Sequence, residues 1–146
     1  MKFGVVSEIF EKIEESSSRI TKTKLLADIF GKATAREAEI ISYLSLGELF
    51  PPYKNVQFNL ADKLLLPVVA RLLDKTKETV KKTLKKEGDL GAVVGGGNWL
   101  QSSTDLTVTN VYNTLCDIAE IEGTGSQEDK ANALFELLGN LDPLSA

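Results

Sequence analysis

The sequence predicts an all-α fold, a compact irregular domain of about seven or eight helices with no significant sheet. Apolar residues recur at spacings of three and four along most of the chain, as on one face of a helix. Residues that favour helix N-caps stand ahead of most of these stripes. The alternation typical of strands is confined to residues 56–58 and 106–108, which are too short to build a sheet.

The first three helices are predicted from apolar stripes and their end signals. The first stripe repeats at helical spacing and consists of Phe3, Val6, Phe10 and Ile13. Three serines, residues 16–18, end it, and a second stripe over residues 25–30 is followed by Gly31, a predicted C-terminal stop. Thr34 and Glu37 form a capping-box pattern that opens the third helix.

The rest of the chain is divided by Pro51 and Pro52 and by a series of N-cap candidates. The remaining helices are predicted to open at Asp62, Thr76, Asp89, Thr107 and Ser126. Pro67 lies inside the fourth helix, where it predicts a kink or an early helix start. Gly95–Gly97 predicts a flexible loop that runs to about residue 105.

The amino-acid composition excludes several kinds of catalytic and metal site. The 146 residues predict one domain, 1–146, with a core that needs no disulfide. Cys116 is the only cysteine and histidine is absent, which excludes the usual zinc sites and histidine-dependent catalysis. No apolar run has the length of a membrane span and no signal peptide is recognised. We therefore expect a cytoplasmic protein, or a nuclear one if the source is eukaryotic.

The charge is unevenly distributed in a chain whose formal net charge is −4. Residues 16–36 contain five basic side chains and one acid, and residues 71–91 contain seven basic side chains and four acids. Residues 117–146 contain seven acids and one lysine. Two basic segments in an acidic protein indicate either solvated helix faces or a surface for a polyanion.

Two glycine-containing turns, Gly88–Gly91 and Gly123–Gln127, each precede a predicted helix. A helix N-terminus has unpaired backbone N–H groups and a partial positive charge, so it binds phosphate, and glycine permits close approach. Lys130 lies one turn beyond Ser126 and is within reach of the same phosphate. Ordinary helix ends capped by Asp89 and Ser126 are the structural alternative.

The order of these motifs resembles the N-terminal DNA-binding domain of ATP-dependent DNA ligases of the archaeal and eukaryotic replicative type. The matching segments cover almost the whole chain and are residues 10–14, 16–19, 22–27, 43–47, 51–53, 88–91, 106–108, 111–112, 118–119 and 123–127, with Lys130. The absence of a long leader before the first motif is more archaeal-like than eukaryotic.

The resemblance implies a non-catalytic module that grips nicked double-stranded DNA through minor-groove and backbone contacts, so that the parent enzyme seals the nick in replication, repair and recombination. The residues implied as DNA contacts are Arg19, Lys22, Gly88, Leu90, Gly91, Thr124, Gly125, Ser126 and Lys130. For the parent enzyme the resemblance implies ATP and magnesium. It implies no cofactor, no metal and no catalytic residue in this chain, which is expected to be a truncated part of the binding domain without adenylation and OB-fold domains.

Departures from the family pattern limit what is transferred. The family's catalytic lysine lies in a K-x-D-G motif, whereas Lys86–Asp89 has glycine and aspartate in the opposite order. A sliding clamp is a candidate partner of the parent, but Gln101–Asp105 lacks the hydrophobic and aromatic residues of the clamp-binding loop. The alternative function is a helical protein–protein interaction module without DNA binding, and a self-sufficient enzyme is the least favoured hypothesis.

Overall fold

A computed structural model describes the chain except residues 55, 57, 59, 61 and 102–104. Over the described residues the chain forms eight α-helices and no named strand, which confirms the predicted fold class. The helices are α1 (Phe3–Glu15), α2 (Arg19–Lys32), α3 (Ala35–Ser45), α4 (Asp62–Leu72), α5 (Lys77–Glu87), α6 (Leu90–Gly95), α7 (Val108–Ala119) and α8 (Ser126–Gly139). A 3-10 turn covers Pro52–Lys54. None of the described helices is long and apolar enough to span a bilayer.

The helices group into two compact units. The first contains Met1–Val56 and Asp105–Asn113, and the second contains Gln57–Thr104 and Thr114–Ala146. The single domain expected from chain length stays a prediction.

The first unit packs α1 against α2, and its core consists of buried aliphatic residues and one tyrosine. These core residues are Val6, Ile29, Ile40, Ile41, Val108, Val111 and Tyr112. The Tyr112 hydroxyl donates a 2.6 Å hydrogen bond to the Leu49 carbonyl, which ties the segment after α3 to α7. Lys2 and Thr107 form an isolated antiparallel bridge, so the predicted short alternation at residues 106–108 amounts to one backbone pairing.

The second unit is built around α4, which packs against both α5 and α8, while α5 also packs against α6. Its core cluster consists of Val69, Ala70, Leu72, Leu73, Val80, Val93 and Val94. Trp99 packs against this cluster and its indole N–H donates to the Leu141 carbonyl at 3.0 Å. The sequence left the position of Trp99 open, and the structure makes it part of the core.

The capping predictions hold for Thr34, Thr76 and Asp89. Thr34 and Glu37 form a complete capping box, and Thr76 Oγ1 accepts the Thr79 N–H at 3.2 Å. Thr107 Oγ1 accepts the Asn110 N–H at 3.1 Å, as expected for the start of α7. α4 begins at Asp62 and includes Pro67, but the predicted Asp62 cap depends on a side chain outside the described part of the chain.

One prediction about glycine is wrong, and another needs an addition. Gly31 does not stop α2, because the helix continues to Lys32 and ends on Ala33, directly before the capping box. Gly97 lies in the predicted loop after α6, but a Cβ there would lie 2.2 Å from Leu73 Cδ2 and 3.0 Å from the Val94 carbonyl oxygen. The glycine at 97 is thus required by close packing against the core.

Candidate nucleic-acid interface

The start of α2 presents the first group of predicted DNA contacts. Ser18 is the N-cap, and its hydroxyl accepts the Thr21 N–H at 3.2 Å, which fixes the first turn. Arg19 is the first residue of the helix and is exposed, and Lys22 follows three residues later and is half-buried. Neither forms an ion pair with a described carboxylate. Two cations at a positive helix end therefore face no internal counter-charge.

The turn between α5 and α6 contains the second group. Gly88 has φ +79°, caps α5, and its N–H donates to the Leu84 carbonyl at 2.8 Å. The Asp89 carboxylate accepts the Ala92 N–H at 3.0 Å, and a Cβ on Gly91 would lie 2.9 Å from that carboxylate. Leu90 is half-buried against the core of the second unit. Both glycines thus have a local structural reason, and the end of this six-residue helix is already capped by an acid.

The turn before α8 differs from the prediction. Gly125, with φ +77°, is the N-cap and has no side-chain capping bond, whereas Ser126 is the first helical residue. The prediction that Ser126 caps the helix is therefore wrong by one position. Thr124 and Gly125 are exposed and Ser126 is half-buried. Glu128 and Asp129 lie in the first turn, so carboxylates already occupy the positive end of the helix dipole.

Lys130 is not the surface residue that the sequence suggested. Its residue is 4% exposed, and Nζ donates a 3.1 Å hydrogen bond to the Phe58 carbonyl. The cause is the register of α8, in which Lys130 is on the same face as the buried Leu134 and Leu137. Lys130 therefore joins α8 to the segment before α4.

The predicted contacts fall into three local groups, two in the second unit and one in the first. Gly88, Leu90 and Gly91 share one turn, and Thr124, Gly125 and Ser126 share another, both in the second unit. Arg19 and Lys22 belong to the first unit. Of the segment that lacks the family's clamp-binding residues, Gln101–Asp105, residues 102–104 lie outside the described residues.

The lysines of α5 were not among the predicted contacts. Five of its eleven residues are lysines, all of them exposed, and none pairs with a described carboxylate. These are Lys77, Lys81, Lys82, Lys85 and Lys86. The spacing of three and four residues between them was visible in the sequence, but solvated lysine faces are common and the pattern alone did not distinguish a site.

A mainly apolar cavity of about 350 Å³ lies between α4 and α8. It is lined by aliphatic and aromatic side chains with three polar ones, namely Leu64, Pro67, Val68, Arg71, Glu128, Ala131, Asn132 and Phe135. The Arg71 guanidinium lies 3.9 Å from the centre of the Phe135 ring, and it donates to Asn132 Oδ1 at 3.2 Å. This cavity, which we call the α4–α8 groove, therefore has an apolar floor, and the Arg71 guanidinium is held in place at its edge.

Comparison with known proteins gives one family. The model of the family described as "DNA ligase N terminus" matches residues 2–146. A probable DNA ligase of Dictyoglomus thermophilum is 36% identical over 143 residues, covering 98% of this chain and 24% of that protein. DNA ligase 2 of Thermofilum pendens is 34% identical and a DNA ligase of Sulfurisphaera tokodaii is 33% identical, each covering all of this chain and 26% of the relative. The chain thus spans about a quarter of the length of these relatives.

Proposed function

This chain belongs to the DNA ligase N-terminus family, and we propose that it is the non-catalytic DNA-binding part of an ATP-dependent DNA ligase. In this proposal it holds nicked duplex DNA through sugar–phosphate contacts reached from the minor groove, and the parent enzyme seals the nick during replication, repair and recombination. The parent acts in the cytoplasm, or in the nucleus of a eukaryotic source.

The start of α2 is the observation that most directly supports DNA binding. Arg19 and Lys22 lack internal counter-charges in the described structure, and the Ser18 cap holds the turn that displays them. Contacts of this kind, made by cations and helix ends, hold phosphates and do not distinguish bases. The proposed binding is therefore independent of DNA sequence.

In this proposal the two glycine turns form an open surface that the DNA backbone approaches closely. Gly88, Gly91, Thr124 and Gly125 are exposed, so a phosphate backbone meets no bulky side chain there. Lys130 has a different role from the one the sequence suggested. Because its ammonium group is buried on the Phe58 carbonyl, it holds α8 to the segment before α4 instead of binding phosphate itself.

The nucleotide and metal of the proposed ligase reaction do not fit the residues of this chain. The only lysine near a glycine–aspartate pair, Lys86, precedes them in the wrong order for the nucleophile motif. Within the part of the chain that the structure describes, no group of three metal-ligating side chains lies together. ATP and magnesium are therefore assigned to the remainder of the parent protein, and no reaction step is placed here.

Fluorescence anisotropy of the chain against a nicked duplex, at several salt concentrations, tests the proposal. Arg19→Gln should lower the slope of log affinity against log salt by about 0.9, because one phosphate contact is lost. Lys12→Gln on α1 is the matched control, since Lys12 is also exposed but lies beside Glu11 and close to Glu14. Both variants should keep their stability within about 0.5 kcal/mol. Affinity that is flat with salt, or a control equal to Arg19→Gln, would contradict the proposal.

The groove between α4 and α8 favours a second candidate, a helical protein-interaction module. Grooves with an apolar floor and a charged edge accept amphipathic helices. Phe135→Ser would weaken capture of such a helix and leave DNA affinity unchanged. If the chain does not bind duplex DNA at low salt, while Phe135→Ser abolishes binding to a helical peptide, the second candidate replaces the first.

A further inference from the structure

α5 carries five lysines in eleven residues, and none of them was among the predicted contacts. Five lysines and two glutamates give this helix a net charge of +3 in a chain whose net charge is −4. None of these lysines forms an ion pair with a described carboxylate. By contrast, Lys32 on α2 and Arg36 on α3 pair with Asp28 and Glu39, respectively. The α5 lysines remain without such internal neutralisation.

Helical geometry places these lysines outside the side of α5 that packs against the core. Val80 is 1% exposed and Leu84 packs against the core cluster, and together they define the inner side of the helix. Lys77, Lys81 and Lys85 follow one another at intervals of four residues along the flank of this inner side. Lys82 and Lys86 form a second row beside them. We call these five residues the lysine face of α5.

The lysine face opposes helix formation in the isolated molecule. Like charges four residues apart repel, and this helix contains three such pairs, Lys77–Lys81, Lys81–Lys85 and Lys82–Lys86, against one attractive pair at the same spacing, Glu78–Lys82. A bound polyanion removes that repulsion, whereas a neutral partner does not. The lysine face is therefore more favourable with an anionic ligand than without one.

The position of the lysine face identifies duplex DNA as the ligand. α5 ends at Glu87, and Gly88 at its C-terminus is the first residue of the glycine turn assigned to the DNA backbone. An eleven-residue helix is roughly 16 Å long, which matches about five base pairs of duplex. We infer that the lysine face of α5 is a second contact surface for the sugar–phosphate backbone, continuous with the Gly88–Gly91 turn; this inference rests on the proposed DNA-binding function.

The test uses the 146-residue chain with Lys81→Gln/Lys85→Gln as the variant and Lys12→Gln/Lys63→Gln as the matched control. The control removes the same charge from exposed lysines outside α2 and α5. The probe is a nicked duplex, titrated by fluorescence anisotropy between about 50 and 200 mM salt. The variant should lower the magnitude of the salt slope by about 1.8 and weaken binding by roughly eightfold per lysine at 0.1 M salt. The control should leave both close to the unsubstituted chain.

Each of the other outcomes contradicts either the inference about α5 or the proposed DNA-binding function. If the unsubstituted chain binds with a steep salt dependence and the α5 variant behaves like the control, the lysine face is not a contact and the proposed function stands. If the unsubstituted chain does not bind the duplex, the proposed function fails and the α5 inference fails with it. If the α5 variant keeps DNA binding but loses binding to polyglutamate, the ligand of this face is an acidic protein. Circular dichroism of both variants checks that the fold is retained.

Discussion

Replacing Lys130 with alanine should destabilise the fold, because the structure gives this lysine a buried role. Lys130→Ala removes three buried methylene groups, about 2.4 kcal/mol at ~0.8 kcal/mol each. It also removes a charge-assisted hydrogen bond to the Phe58 carbonyl, which contributes about 1.5–3 kcal/mol. Regained side-chain entropy of about 1.5–2 kcal/mol and relief from burying the ammonium group act in the opposite direction. The net expected loss is about 2 kcal/mol.

Thermal and urea unfolding followed by circular dichroism measure this loss. For a chain of this size, about 2 kcal/mol corresponds to a fall in Tm of roughly 4–8 °C. Lys130→Met keeps the apolar stem and should lie between alanine and the unsubstituted chain. Lys12→Ala, at an exposed position, should change stability by about 0.5 kcal/mol or less.

One result would refute the reasoning about Lys130. If Lys130→Ala melts together with the Lys12→Ala control and loses affinity for DNA, the ammonium group is at the surface and contacts phosphate directly. A lowered Tm with DNA affinity retained well below the transition supports a structural role for Lys130.

Two further predictions concern the pairing of the Glu37 carboxylate with the Met1 α-amino group, and the glycines at 97 and 31. The pKa of Glu37 lies below its ordinary value of 4.5, because of the hydrogen bond from the Met1 α-amino group more than the backbone hydrogen bond from Thr34. The stability that this pairing contributes is therefore present above pH 4.5. It is lost as the pH falls through the lowered pKa. Glu37→Gln keeps the cap but should remove that acid-dependent component in pH-dependent urea unfolding, and an unchanged pH profile would contradict the assignment. Gly97→Ala should destabilise the fold by about 1–3 kcal/mol through its clash with Leu73. At Gly31 a Cβ meets no atom within 4 Å, so Gly31→Ala should stabilise α2 by roughly 0.5–1 kcal/mol. Equal shifts of Tm for the two variants would show that Gly97 is not tightly packed.

Local signals predicted most of the helices. The capping box at Thr34 and the caps at Thr76 and Thr107 depend on residues within one turn of each other, so the sequence is sufficient to place them. Gly31 was misassigned as a helix stop, and the close packing at Gly97 was not foreseen. Glycine is tolerated inside α2, and Gly97 is needed only because Leu73, distant in sequence, packs against it.

The candidate site was harder to predict because burial depends on tertiary packing. Lysine is a side chain that commonly binds phosphate, but the exposure of Lys130 is set by its contact with Phe58, 72 residues away. The shift of the cap from Ser126 to Gly125 is local, and it depends on a positive φ that the neighbouring glycines Gly123 and Gly125 both permit. The sequence indicated that this turn is tight but not which glycine would be the cap.

Net charge is a poor guide to whether this chain binds DNA, and the distribution of its charges explains why. At physiological ionic strength the Debye length is about 8 Å, shorter than the roughly 16 Å length of α5. A phosphate at the lysine face therefore interacts mainly with α5, whose net charge is +3, and only weakly with acids farther away. At low salt the Debye length approaches 30 Å and the acids of the whole chain oppose binding. Under the proposed function, α5 therefore acts at physiological salt largely without opposition from distant acids, and that opposition grows as salt is removed.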